Sequence, residues 1–173
     1  MARDLDYVNQ LKLFTIQTLY NMTHQKKPIK NPVIPMTRIL VIDDERETRQ
    51  AYKTVLEKLD CLVDVADDGI DGLERFLNKI YDVVITDYNL SNIDGMQMLE
   101  HFQHIDSKVP VIFSSGLADD EVIEEVLQGG AFDFIPKPAN VERLLLSISK
   151  AIYFRPANKS DEEIAPCASH SEE

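Results

Sequence analysis

At 173 residues with 44% apolar side chains, the chain has room for one domain of ordinary size, a real core and appendages. Its 30 acidic residues against 18 basic give a formal charge of -12, which would repel phosphate backbones and argues against nucleic-acid binding. Cys61 and Cys167 are too few and too isolated for a disulfide framework or a zinc site, so a reduced, cytoplasmic setting fits. No stretch reaches the roughly 18 apolar residues of a membrane span, and residues 1–22 are interrupted by polar side chains, unlike a signal-peptide core.

Residues 1–35 read as an N-terminal extension. Leu5, Val8, Leu11, Phe14, Leu19 and Met22 recur near helical spacing, which predicts an amphipathic helix. Pro28, Pro32 and Pro35 then fix φ and remove backbone donors, so the stretch from Lys26 to Pro35 reads as an extended linker. Residues 1–36 hold five basic side chains against two acidic ones, a net of +3. Such a segment could support self-association into a homodimer or partner docking, or be an upstream extension without a fixed role.

Residues 36–154 alternate strand and helix. Strands are expected at 38–42, 62–66, 82–86, 109–113 and 132–135, near-continuous apolar runs of the kind buried on both faces. Helices fill the gaps. The first spans about 47–58 with a stripe on Ala51, Val55 and Leu59, widened by Tyr52 and Leu56. The second covers 69–79 and presents Ile70, Leu73, Phe76, Leu77 and Ile80. The third starts near Asp94 with Met96, Met98, Leu99 and Phe102. The fourth runs from Asp120 with Val122, Ile123, Val126 and Leu127, and the last from Asn140 with Val141, Leu144, Leu145, Ile148 and Ile152. Five such units predict an α/β fold, a doubly wound parallel sheet with helices on both faces. Residues 155–173 are Pro-, Ser- and acid-rich and predict a mobile tail.

The ends of these strands carry the chemistry. Asp43 and Asp44 close the first, Asp87 follows the third, Ser114 and Ser115 follow the fourth, and Lys137 lies just past the fifth. In an open α/β sheet functional groups gather beyond the carboxyl ends of the strands, so three acids, a hydroxyl and an ammonium would meet there. That set is a divalent-metal site beside an anion site. Asp43 and Asp44 alone could equally be helix caps, and Ser115 a turn hydroxyl. His24, His101, His104 and His170 show no metal-like grouping and read as surface histidines.

The motifs Ile42-Asp43-Asp44-Glu45, Ile85-Thr86-Asp87 with Asp94-Gly95, Pro110 to Gly116, and Gly130 to Pro138 together resemble the receiver domain of two-component response regulators. The resemblance implies a flavodoxin-like five-stranded sheet in the order 2-1-3-4-5. It also implies Mg²⁺ dependence and acceptance of a phosphoryl group on Asp87 from a histidine kinase or histidine phosphotransfer protein. By the same resemblance Asp44, Asp87 and the backbone carbonyl of Asn89 hold the metal and Asp43 acts through water. Lys137 and Ser115 meet the phosphoryl group, and Ser115 and Phe134 form the switch, though Phe134 could equally be plain core. Output would leave through the last two helices and the fifth strand toward a downstream protein target. The Lys137-Pro138 bond is cis in many relatives. No DNA-binding or enzymatic domain fits the remaining residues, so the chain is expected to be a stand-alone receiver and a phosphoacceptor rather than an enzyme. Leu117, which cannot orient an attacking water, predicts a phosphoryl lifetime of intermediate to long.

Two rival readings come from other classes. A phosphorylation-independent scaffold would not need the full set of acids, Ser115 and Lys137. An aspartyl-phosphate phosphatase of the haloacid-dehalogenase type would need its two first-strand acids separated by one residue, whereas Asp43 and Asp44 are adjacent.

Overall fold

The computed structural model describes residues 37–116 and 119–154. The expected helix and linker within residues 1–35, the tail over 155–173, Leu117, Cys167, His24 and His170 lie outside the described residues. The elements run β1 (Arg38–Ile42), α1 (Arg46–Glu57), β2 (Leu62–Ala66), α2 (Gly69–Asn78), β3 (Val83–Thr86), α3 (Gly95–Ile105), β4 (Val111–Ser115), α4 (Asp120–Gln128), β5 (Asp133–Pro136) and α5 (Val141–Phe154). All strand pairs are parallel, in the order β2-β1-β3-β4-β5.

Side chains alternate across each strand, so one sheet builds two cores. Leu40, Ile42, Val84, Val111, Phe113 and Phe134 pack with Phe76, Met98, Leu99, Phe102 and Val126 on the side of α2, α3 and α4. Ile39, Val41, Val83, Ile85, Ile112 and Ile135 pack with Tyr52, Leu56, Leu144, Leu145 and Ile148 on the side of α1 and α5. Burial on both faces is why these strands read as unbroken apolar runs.

Element existence follows the sequence, and several details differ from it. β4 begins at Val111 instead of 109: the Val109 N–H is taken by the Asp106 carbonyl at 3.2 Å, and Pro110 has no N–H, so both belong to the turn leaving α3. Asp94 and Asn140 stand just outside α3 and α5 as caps. The Asp94 side chain accepts from Met96 N–H at 2.7 Å and that of Asn140 from Glu142 N–H at 2.8 Å. The stripe of α1 is rotated: Tyr52 and Leu56 are buried, Val55 is half-buried and Ala51 is exposed.

The largest difference concerns α2. Its buried face is Gly69, Gly72 and Phe76, with Leu73 half-buried, whereas Ile70, Leu77 and Ile80 are exposed. A Cβ at Gly72 would lie 2.5 Å from Ile42 Cδ1, so the missing side chain lets α2 rest directly on β1.

Candidate functional site

Two loops at the carboxyl edge of the sheet, after β1 and β3, bring the acids together. β1 and β3 are neighbours in register, with Ile42 beside Thr86, so the residues that follow each strand emerge side by side. The Asp87 N–H donates to the Ile42 carbonyl at 2.9 Å and the Asp43 N–H to the Ala66 carbonyl at 3.2 Å, which fixes both acids to the sheet edge. Asp43, Asp44 and Asp87 each offer an oxygen within 4.8 Å of the others; Asp43 and Asp87 are buried and Asp44 is exposed.

Lys137 is delivered from the end of β5 by the Ser115 carbonyl, which accepts its N–H at 2.8 Å, and the Lys137-Pro138 peptide bond that follows is cis. Its ammonium lies 2.6 Å from Asp87 Oδ2, 2.7 Å from Asp43 Oδ2 and 3.6 Å from Glu45 Oε2. Burial works against that charge, but the hydrogen bonds and charges of Asp43 and Asp87 outweigh it and hold the lysine above its ordinary range. One ammonium shared by two buried carboxylates leaves a deficit. Burial pushes the Asp43 carboxyl up against the opposing hydrogen bonds from Lys137 and the Glu45 N–H.

Three carboxylates and one ammonium sum to a formal charge of about -2. An all-oxygen donor set with that deficit suits a hard divalent cation better than a softer transition metal. Asp43 and Asp87 are occupied alike: Oδ1 of each accepts a backbone N–H, from Glu45 at 2.9 Å and from Asn89 at 3.1 Å, and Oδ2 of each meets Lys137. Asp44 keeps its carboxylate at the mouth of the site.

The acids open into a cleft of about 790 Å³ whose lining includes Asp44, Glu45, Thr48, Tyr52, Asp87, Asn89, Ser115 and Lys137. Ser115 ends β4 on this cleft, while Ser114 turns to the opposite face and shares a hydrogen bond of 2.5 Å with the Tyr52 hydroxyl. The Asn89 N–H donates to Asp87 Oδ1 at 3.1 Å, and Asn89 bridges to Asp94. Gly95 closes this loop: its N–H reaches the Tyr88 carbonyl at 3.1 Å, where a Cβ would lie 2.7 Å from that oxygen. Phe134 is not on the cleft. Its ring is buried in the core beneath α4 at 5% exposure.

Three features escape the sequence reading. The Arg49 guanidinium donates to the Asp43 carbonyl, Glu45 adds a third acid near Lys137, and the Tyr52 hydroxyl reaches Ser114 beneath the cleft. Arg49 and Tyr52 lie three apart on one face of α1, with Glu45 four residues ahead of Arg49 at the N-cap, and that spacing is the signal that finds them. His101 and His104 are exposed, in keeping with surface histidines.

Comparison with known proteins gives a consistent answer. A model of the response regulator receiver domain matches residues 39–149. The chemotaxis protein CheY of Bacillus subtilis is 30% identical over 116 residues, covering 66% of this chain and 97% of CheY. The C4-dicarboxylate transport transcriptional regulatory protein DctD of Pseudomonas aeruginosa is 32% identical over 124 residues, covering 72% of this chain but 27% of DctD. Likewise the match spans 29% of the transcriptional regulatory protein ZraR of Klebsiella oxytoca, so several such relatives are much longer than the shared region. A crystal structure of a response regulator receiver domain protein from Clostridium thermocellum superposes with a TM-score of 0.65 at 33% identity, covering 68% of this chain and 94% of that one.

Proposed function

This chain belongs to the response regulator receiver family of two-component signalling, and from that membership we propose that Asp87 accepts a phosphoryl group from the phosphohistidine of a histidine kinase or histidine phosphotransfer protein. The observation that carries the reading is the Lys137 ammonium 2.6 Å from Asp87 Oδ2, with Asp43 and Asp44 close by. A carboxylate oxygen of Asp87 attacks phosphorus, the P–N bond to the donor imidazole breaks, and the imidazole leaves with its electron pair and takes a proton. Bringing a carboxylate to a phosphoryl group costs charge repulsion, which fixed cations offset. Mg²⁺, when bound, would be held by Asp44, Asp87 and the Asn89 carbonyl with Asp43 acting through water, and would supply the rest of that neutralisation.

The protein's own groups prepare this step. The Asn89 N–H holds Asp87 Oδ1 and thereby orients the carboxylate. Lys137, once a phosphoryl oxygen is present, exchanges an Asp87 oxygen for it as a point charge. Ser115 donates its hydroxyl to the same group from the end of β4. Binding of phosphate then favours one arrangement of α4, β5 and α5, and with it a downstream protein target. Phe134 contributes by holding its ring within the core. A helix long and apolar enough to cross a membrane is absent among the described residues, and a cytoplasmic site of action accords with that.

The reading is tested by incubating the chain with a small acyl phosphate donor and weighing the intact protein. The expected result is a gain of one phosphoryl group with Mg²⁺ present and a large loss of that gain after chelation. Equal uptake with and without a divalent ion would contradict it.

A further inference from the structure

α2 leaves an apolar stripe without a partner among the described residues. Ile70 and Leu77, seven residues apart, lie on one line of the helix and are 61% and 67% exposed; Ile80, just past its end, is 78% exposed. Glycines at positions 69 and 72 and Phe76 supply the buried face instead, so the sheet has no use for this stripe. Leu62, also exposed, belongs to the alternate set of β2 with Asp64 and Ala66, on the sheet face that α2 covers. Large aliphatic side chains exposed along one line of a helix, rather than scattered singly, are the kind of surface that a partner covers.

We propose that the chain's own residues 5–22 cover it, docking as an amphipathic helix on α2. Where the chain comes into the sheet is the first support. The Arg38 N–H donates to Asp82 Oδ2 at 2.8 Å, and the Arg38 guanidinium lies 3.8 Å from Asp64 Oδ2, which also takes Lys79 Nζ at 3.0 Å. Lys79 is the C-cap of α2 and Ile80 follows it. Residues 1–36 therefore join the domain at the exposed end of the stripe.

Reach and patterning agree. The ten residues from Lys26 to Pro35 span up to about 31 Å at ~3.1 Å per residue, and α2 with its 10 residues is about 15 Å long, so the linker can return along it. Leu5, Val8, Leu11, Leu19 and Met22 give the segment one apolar line to set against Ile70, Leu77 and Ile80. A tether this short makes the segment's effective concentration of millimolar order, well above that of a second copy. Charge does not oppose that occupant, since residues 5–22 hold only Asp6 and Lys12 and sum to zero, whereas α2 faces of two copies would bring together two bodies that each carry -11 over residues 37–155.

The test uses the full chain with Cys61→Ala and Cys167→Ser and a nitroxide on Gln10→Cys, read by amide NMR of ¹⁵N-labelled protein. Amides of residues 69–80 should lose most of their intensity, while those of α5 keep theirs. The loss should vanish when the nitroxide sits only on unlabelled copies mixed with ¹⁵N chains. It should also vanish with Leu77→Glu/Ile80→Glu, whose sheet amides should stay unshifted; Leu11→Glu/Leu19→Glu gives the same readout without touching α2. Unchanged amides over 69–80 would overturn the proposal, as would loss persisting in either double variant. Equal loss in the mixed sample would assign the stripe to a second copy and overturn it too.

Discussion

Lys137 stands between two carboxylates that the sheet edge has already buried, with its side chain 14% exposed. Removing one partner from such a cluster leaves uncompensated charge, which costs far more than the net value of the pair. Lys137→Ala should therefore lower stability by about 3 kcal/mol in chelator. Mg²⁺ should recover much of that loss and bind the variant more tightly than the parent, because a competing cation is gone. Denaturant unfolding with and without Mg²⁺ checks both; coincident curves for variant and parent in chelator would refute this role. At this scale the sequence disclosed Asp43, Asp44, Asp87, Ser115 and Lys137, because each follows an apolar run that could only be a buried strand. It did not disclose that Lys137 spans Asp43 and Asp87, nor the Tyr52 to Ser114 bond. Tyr52 falls within the apolar stripe of α1, and its hydroxyl acquires a partner only when β4 is laid beside that helix.

Among the elements, the amino edge of the sheet is tied by Asp64 of β2, which accepts from Lys79 at the end of α2 and from the Tyr81 hydroxyl ahead of β3, at 3.0 and 2.9 Å. Burial pushes the Asp64 carboxyl up, but those hydrogen bonds and the charges of Lys79 and Arg38 prevail and hold it below the ordinary carboxylate value. A group depressed in this way stabilises the fold above its unfolded pKa of about 3.9, and that contribution disappears as pH falls through the lower folded value. Asp64→Asn should cost about 1 kcal/mol at pH 7, a modest figure because the side chain is a quarter exposed, with the gap to the parent closing in acid. A gap that stays constant from pH 7 to pH 3 would show that the charge is not what matters. Element order was legible throughout, since strand and helix periods differ. Boundaries slipped where backbone donors were already spent, as at Val109 and Pro110. The inner face of α2 was misread because glycine contributes nothing to a hydrophobic stripe, and only packing against Ile42 reveals that it faces inward.

Taken whole, the described residues form one parallel sheet whose order β2-β1-β3-β4-β5 sets β1 beside the central β3, so that acids from separate loops converge on one edge. That convergence follows from topology, and it was legible because four separated motifs fall in sequence at strand ends. The exposure of Ile70, Leu77 and Ile80 was not, since a stripe of aliphatic residues does not say whether it faces the sheet or away from it. The central claim is that Asp87 alone receives the phosphoryl group. Reaction of the chain with an acyl phosphate donor in Mg²⁺, borohydride reduction of the acyl phosphate formed and peptide mass spectrometry should place the reduced residue at position 87, with uptake lost in Asp87→Asn. Reduction mapped to Asp43 or Asp44, or undiminished uptake by Asp87→Asn, would contradict it.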